Sequence, residues 1–322
     1  MDNATLQASP FPDTWDNTMR CLVAECPRKW YFFQRGFDYV SKPAYFIWGS
    51  AFGEILAAWY SLNEAIQDPM SPEYQIHAHA ALQAGLTYWD ESLVEDKGIN
   101  KRASLELVWK AYLEYYPFEE WQMVEEGAEA GWSYPLLGTD WFLGGALDGY
   151  INWPAYGMCA LEDKTDGGYL SDSYMQSWSF SGQVTGYVWY LSKILGEQNV
   201  AGCLMNCATK NVPGPRSKWT TARFRRSLEK RSPQQLAEFE EQWAFEIHRF
   251  KRDYWDRWYW PRAVNKDSCS GGTGKAPCLF KAICLSDADP CEVNPSFASY
   301  IVEREGRWEP WNRSGKQLDQ SS

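Results

Sequence analysis

Downstream of Trp121 the apolar residues stop recurring every three or four positions and begin to alternate, which constrains what the middle of the chain can become. Residues 123–137, 141–153 and 158–164 each predict a strand, separated by turn residues at Gly138-Thr139-Asp140 and at Pro154 to Gly157. A helical pattern over 172–195 and an apolar strand pattern over 200–208 follow. Upstream the period is helical, over 14–36, over 45–60 and, as two helices, over 71–117, and it returns over 233–260. Helices, a strand meander, a helix and a further strand predict an α/β chain with a mixed sheet flanked by helices, a helical N-terminal region and a cysteine-rich C-terminal segment.

At 322 residues the chain can bury a sizeable core, and no repeat or low-complexity block divides it. One elaborated domain over 13–304 is therefore expected, between a loose arm at 1–12 and a tail at 305–322. Within it, a helical insertion spans about 62–118, a core about 119–209, a basic and helical segment 210–260 and a cysteine-bearing segment 261–291.

A net charge of -11 argues against coating nucleic acid through overall charge, but leaves room for a local basic patch. Lys210, Arg216, Lys218, Arg223, Arg225 and Arg226 form that patch within a run that holds a single acid, Glu229. The 19 Trp are mostly core fillers, with a few available as stacking platforms for unpaired bases. The start of the chain lacks the basic and apolar regions of a secretory signal, and no apolar run approaches a membrane span. A cytoplasmic protein with no membrane partner is expected, its nine Cys mostly reduced. His77 and His79 fall on opposite sides of a helix, away from any Cys, and read as surface residues.

Asp148 ends one apolar run, and Glu162-Asp163-Lys164 ends the next. Adjacent strands would bring the Asp148 and Glu162 carboxylates to one sheet edge, as hard oxygen ligands suited to Mg2+ or Mn2+. Lys164, two residues from Glu162, shares its face and can orient a water or stabilise charge on a phosphodiester. The Asp163 carbonyl lies between them as a further candidate ligand, and Glu54, near the start of an apolar helix, is another acid that could face the site. An acid-x-Lys by itself is also what an ordinary surface pair looks like.

Taken in order, Gly145-Ala-Leu-Asp148, Leu161-Glu162-Asp163-Lys164 and Gln183-Val-Thr-Gly-Tyr187 resemble the motifs of RecB-like nucleases in the PD-(D/E)xK superfamily. Cys26-Pro-Arg-Lys-Trp-Tyr resembles the opening of the members that carry an iron-sulfur cluster, among them CRISPR-associated and AddB-type relatives. The resemblance implies a restriction-endonuclease-like fold and a DNA nuclease that processes single-stranded or free ends in recombination, repair or phage DNA metabolism. Asp148 and Glu162 would bind metal, with Lys164, Gln183 and Tyr187 completing the catalytic set.

It also implies a 4Fe-4S cluster held by Cys26, Cys269, Cys278 and Cys284, with Cys291 a rival for one position and zinc an alternative occupant. Relatives place a His where Gly53 stands here, one residue before Glu54. A one-residue offset turns about 100° around a helix, so Glu54 replaces that His only if the helix begins irregularly. Two other outcomes stay open: a non-catalytic DNA-binding scaffold within a recombination complex, and a zinc- or cluster-stabilised interaction protein without nucleic acid.

Overall fold

A computed structural model describes residues 11–61, 68–124, 127–210, 223–263, 266–271, 277–286, 289–294, 298–304 and 308–315. Its strands in chain order are β1 (Thr14–Trp15), β2 (Phe37–Tyr39), β3 (Gln122–Met123), β4 (Ala130–Pro135), β5 (Phe142–Leu147), β6 (Gly149–Trp153), β7 (Gly157–Asp166), β8 (Val200–Thr209), β9 (Phe224–Glu229) and β10 (Ile301–Glu303). The helices are α1 (Asn17–Glu25), α2 (Pro27–Gln34), α3 (Ala44–Ser61), α4 (Pro72–Glu91), α5 (Arg102–Tyr115), α6 (Asp172–Ser177), α7 (Gly182–Leu195), α8 (Pro233–Phe250), α9 (Lys266–Ser270) and α10 (Lys281–Leu285). The class is mixed α/β.

Several predicted elements are subdivided for local reasons. Cys26 is extended, with φ -169°, because Pro27 disfavours the helical region at the residue before it and then opens α2. Asp148 occupies a bend that separates β5 from β6. Ser181 interrupts the 172–195 helix: it is extended and its hydroxyl accepts from Val184 N, so α7 starts afresh after a 3-10 turn at Trp178–Phe180.

Where length suggested one domain, the contacts group into two compact units. The larger comprises 42–132, 146–236 and 311–322. Its five-stranded sheet runs β3-β6-β7-β8-β9, with β7 parallel to β8 and the other neighbours antiparallel. Odd-numbered residues of β7, such as Cys159 and Leu161, pack with Leu204, Ala208 and Phe224 into a core supplied by α3, α4 and α5. Strand alternation sends the even-numbered residues of β7 to the opposite face, where α7 lies.

The smaller unit comprises 1–41, 133–145 and 237–310. Its core is aromatic: Trp30 stacks on Trp15 at 5.8 Å and on Trp260 at 5.5 Å, and Phe250 meets Trp30 edge-on at 4.6 Å. β2 and β10 pair antiparallel within it. Among the described residues no helix is long and apolar enough to cross a membrane.

Gly85, in the interior of α4, shows how tightly the larger unit's helices meet. A Cβ there would collide with Ile55 Cγ1 and stand 2.5 Å from the Ala51 carbonyl oxygen on α3. In an open helix Gly→Ala gains about 1 kcal/mol. Here the contact reverses the sign, and Gly85→Ala is expected to destabilise the protein by about 1–3 kcal/mol, read as a lower urea midpoint with unchanged slope.

Candidate functional site

β7 is the central strand of its sheet, and it carries Glu162, Asp163 and Lys164 in succession. Glu162 is 1% exposed and turns toward α7. Its Oε1 accepts from Lys164 Nζ and, at 2.9 Å, from Gln183 Nε2. Gln183 Nε2 also donates to the Tyr187 hydroxyl at 2.7 Å, and that hydroxyl donates to the Ala146 carbonyl at 2.8 Å. Spacing of four residues puts Gln183 and Tyr187 on one face of α7, so one helical turn ties Glu162 to the strand that leads into Asp148.

Asp148 enters from the bend after β5, and its Oδ2 accepts from Asp163 N at 2.8 Å. The residues predicted as a catalytic set, Asp148, Glu162, Lys164, Gln183 and Tyr187, are thus connected by contacts within one unit.

Electrostatics follow from the burial. Desolvation, reinforced by the Asp148 charge, raises the Glu162 carboxyl to about 7 against the opposing pull of Lys164. Burial works against the Lys164 ammonium, but Glu162 and Asp148 outweigh it and hold the group above the ordinary lysine range. Lys164 therefore stays protonated and can donate to a water or a phosphate oxygen without acting as a base. Glu162 Oε2 is buried and has no hydrogen-bond partner, the kind of orphan acceptor that a bound cation satisfies.

Among the described residues no three His, Cys, Asp or Glu side chains sit close enough to share one metal ion. Mg2+ commonly takes only one or two carboxylates, with waters and phosphate oxygens completing its shell, so Asp148 and Glu162 fit it as a pair.

Other expected residues lie elsewhere. The Asp163 side chain, as distinct from the carbonyl expected as a ligand, falls on the far face of β7 from Glu162, where its Oδ1 accepts from Asn206 Nδ2 at 2.7 Å and from the Tyr60 hydroxyl at 3.2 Å. Burial and the neighbouring Asp148 push its carboxyl well up. Glu54 is solvent-exposed on α3, with no contact to Asp148 or Glu162 among the described residues. A Cβ at Gly53 would meet nothing within 4 Å, whereas one at Gly49 would stand 3.2 Å from Thr165 Oγ1, so the first part of α3 lies against the end of β7.

Among the described residues the basic run does not form one patch, because burial and strand alternation divide it. Lys210 is 7% exposed, donates to the Tyr45 carbonyl at 2.6 Å and is lowered to about 8 by burial, with Asp166 opposing. This corrects its expected place on a phosphate-binding surface, since its ammonium is spent inside the fold. Arg226 is likewise committed inward, to Glu119 at 2.7 Å and Asn206 at 3.1 Å. Arg225 faces the other way and pairs with Asp172 at 2.7 Å, while Arg223 lies 4.6 Å over the Tyr169 ring. Arg216 and Lys218 lie outside the described residues.

An aromatic rim borders the α7 face. The Trp178 ring lies 5.9 Å from Lys164 Nζ, and Phe180, two residues on, is 91% exposed. The turn that presents them is fixed by Ser179 Oγ donating to Glu229 Oε2 at 2.8 Å and by Arg231 donating to the Trp178 carbonyl at 3.0 Å. Nothing in the sequence singles out Phe180, whereas Asn206 is marked by being an Asn inside the apolar run of β8.

In the smaller unit the segments of Cys26, Cys269, Cys278 and Cys284 adjoin, although no three of these thiols are close enough to share a single ion. Cys26 Sγ accepts from Ala263 N at 3.4 Å, Cys269 Sγ donates to Ala263 O at 3.6 Å, and Cys278 N donates to Cys269 O at 3.2 Å. Burial raises the Cys284 thiol to about 11, with Arg28 opposing and Cys278 and Cys26 close enough to add to it. Cys291 instead interacts with Tyr31, Asp289 and Trp258. All nine thiols are free.

A carboxyl raised from 4.5 to about 7 binds its proton more tightly in the folded than in the unfolded chain. Without metal, the contribution of Glu162 to stability should fall as pH rises from about 4.5 to about 7, and Glu162→Gln should flatten that dependence in urea titrations. Metal binding requires the deprotonated form, so Mn2+ affinity measured by calorimetry should drop about tenfold per pH unit below 7.

Compared with known proteins, the chain matches no family model and no curated protein, so the function of this site is argued from its own residues.

Proposed function

We propose that this chain is a metal-dependent DNA nuclease of the RecB-like PD-(D/E)xK type, with a restriction-endonuclease-like core in its larger unit. The observation that carries the proposal is the convergence of Asp148, Glu162, Lys164, Gln183 and Tyr187 around a buried carboxylate oxygen that lacks a partner. The antiparallel β6–β7 hairpin, with a helix leading from β7 to the parallel β8, supports the fold assignment.

A divalent ion, Mg2+ or Mn2+, held by Asp148 and Glu162 would polarise water and neutralise charge on the phosphodiester. Lys164 donates to the attacking water or to a non-bridging oxygen, aided by a charge that its surroundings preserve. Gln183 and Tyr187 hold Glu162 by one oxygen and fix α7 against the strand entering Asp148. Water oxygen forms the new bond to phosphorus, the scissile P–O bond breaks, and the leaving oxygen takes a proton from solvent.

The rigid turn carrying Trp178 and Phe180 supports a substrate with single-stranded or free ends. Unpaired bases have faces left to stack on such a ring, whereas bases inside a duplex are already stacked. Recombination, repair or phage DNA metabolism in the cytoplasm, with partner proteins of those processes, is the setting this activity fits.

Cys26, Cys269, Cys278 and Cys284 would hold a 4Fe-4S cluster, with zinc the other occupant that thiolates suit. Joining Cys26 in the smaller unit's first segment to three cysteines in its last, 237–310, would staple that unit.

Two outcomes test these assignments. Lys164→Ala should slow Mg2+- or Mn2+-dependent degradation of end-labelled DNA by about 10²–10³-fold, with circular DNA alongside to show whether an end is needed. Equal inertness of wild type and variant with both metals would instead favour the DNA-binding scaffold. Anaerobically purified protein should be brown, and Cys278→Ser should bleach it and lower its melting temperature. Colourless protein with stoichiometric zinc would replace the cluster by zinc.

A further inference from the structure

On the helix-facing side of the sheet, opposite Glu162, three polar residues line up across neighbouring strands. Asp163 on β7 is in register with Asn206 on β8, and Asn206 with Arg226 on β9. Each touches the next: Asn206 Nδ2 donates to Asp163 Oδ1 at 2.7 Å, and Arg226 Nε donates to Asn206 Oδ1 at 3.1 Å. Two tyrosines from the helical layer bridge the row. Tyr60 donates to Asp163 Oδ1 at 3.2 Å, and its oxygen accepts from Asn206 at 3.0 Å; Tyr112 accepts from Arg226 at 2.8 Å and donates to Glu119 at 3.0 Å. Glu119 closes the far end as the ion partner of Arg226 at 2.7 Å, and the guanidinium lies 3.6 Å over the Tyr116 ring.

Stability alone is a poor reason for this arrangement. Desolvating an Arg–Glu pair and an extra carboxylate offsets most of what their attraction returns, and apolar side chains of equal volume would pack the same space. A connected polar network gives something else, a single geometry, because every member is oriented by its neighbours. The group at its near end is residue 163, whose backbone N–H donates to Asp148 Oδ2 at 2.8 Å.

We propose that Asp163, Asn206 and Arg226, with Tyr60, Tyr112 and Glu119, form a positioning device for Asp148. Through the side chain of Asp163 the row fixes the peptide of residue 163, so that its N–H orients the Asp148 carboxylate while Glu162 and Lys164 are presented on the opposite face. The Asp163 side chain is thereby a positioning group, distinct from the backbone carbonyl expected as a ligand. The inference rests on the metal-site assignment made above.

The test is Mn2+ binding to the full chain, followed by electron paramagnetic resonance of free Mn2+, for wild type, Asn206→Leu, Asp148→Asn and the double variant. Outer-shell partners of metal ligands typically change affinity by about 10–100-fold, and Asn206→Leu is expected to weaken binding by about tenfold. Because the effect is routed through Asp148, it should disappear when Asp148→Asn is already present. Leu204→Ala, a core truncation on the same face of β8, should lower the melting temperature while leaving Mn2+ affinity within about twofold. Wild-type binding with equal affinity in Asn206→Leu, or equal losses in both backgrounds, would overturn the positioning role while leaving the metal site standing. No Mn2+ binding by wild type would overturn the metal site, and this role with it.

Discussion

Three consecutive ionisable residues in a central strand impose a demand that the rest of the larger unit answers. Glu162, Asp163 and Lys164 alternate across β7, so the sheet must supply polar partners on both faces in place of the apolar contacts such a strand normally makes. On the α7 face the answer is compact: Glu162 takes Lys164 and Gln183, and Tyr187 braces the arrangement against the strand before Asp148. On the other face Asp163 recruits partners from α3, α5, β8, β9 and the segment before β3.

The half on the α7 face was legible in the sequence, because both of its geometric rules are local. Two-residue spacing put Glu162 and Lys164 together, and four-residue spacing put Gln183 and Tyr187 together. The other half was not, since Asn206, Arg226, Glu119 and Tyr60 meet only through sheet register and helix packing across long sequence separations. Arg226 shows the cost of reading charge by proximity along the chain. Next to Arg225 and Arg223 it looked like part of a basic surface, yet alternation along β9 turns it inward while Arg225 faces out. Lys210 misled for a related reason: at the end of β8 it follows a buried strand, and its ammonium bonds the Tyr45 carbonyl instead of reaching solvent.

The aromatic content divides in a similar way. Trp15, Trp30, Trp48, Trp121 and Trp189 are among the largest fully buried side chains, as expected of core fillers. In the smaller unit this filling serves a further end. Its described core joins segments more than 200 residues apart through Trp30, Phe250 and Trp260, so the same packing brings the segment of Cys26 to that of the later cysteines. Cys291, the rival for one position, interacts with Tyr31, Asp289 and Trp258.

The two acids of the candidate site share one further property. Glu162 uses Oε1 for Lys164 and Gln183 and leaves Oε2 without a partner; Asp148 uses Oδ2 for Asp163 N, and no hydrogen bond among the described residues ties its Oδ1. In each case the bonded oxygen sets the orientation of the carboxylate, and the other keeps a lone pair free. A hard divalent cation gains most from ligands already oriented in this way, because less side-chain freedom is lost when it binds. Burial raises the Glu162 carboxyl to about 7 and repulsion from the Asp148 carboxylate adds to it, while the same two carboxylates keep Lys164 charged beside them. Lys164 thus eases the repulsion by bonding the oxygen that a cation would not need, so a cation and the ammonium can act on Glu162 together.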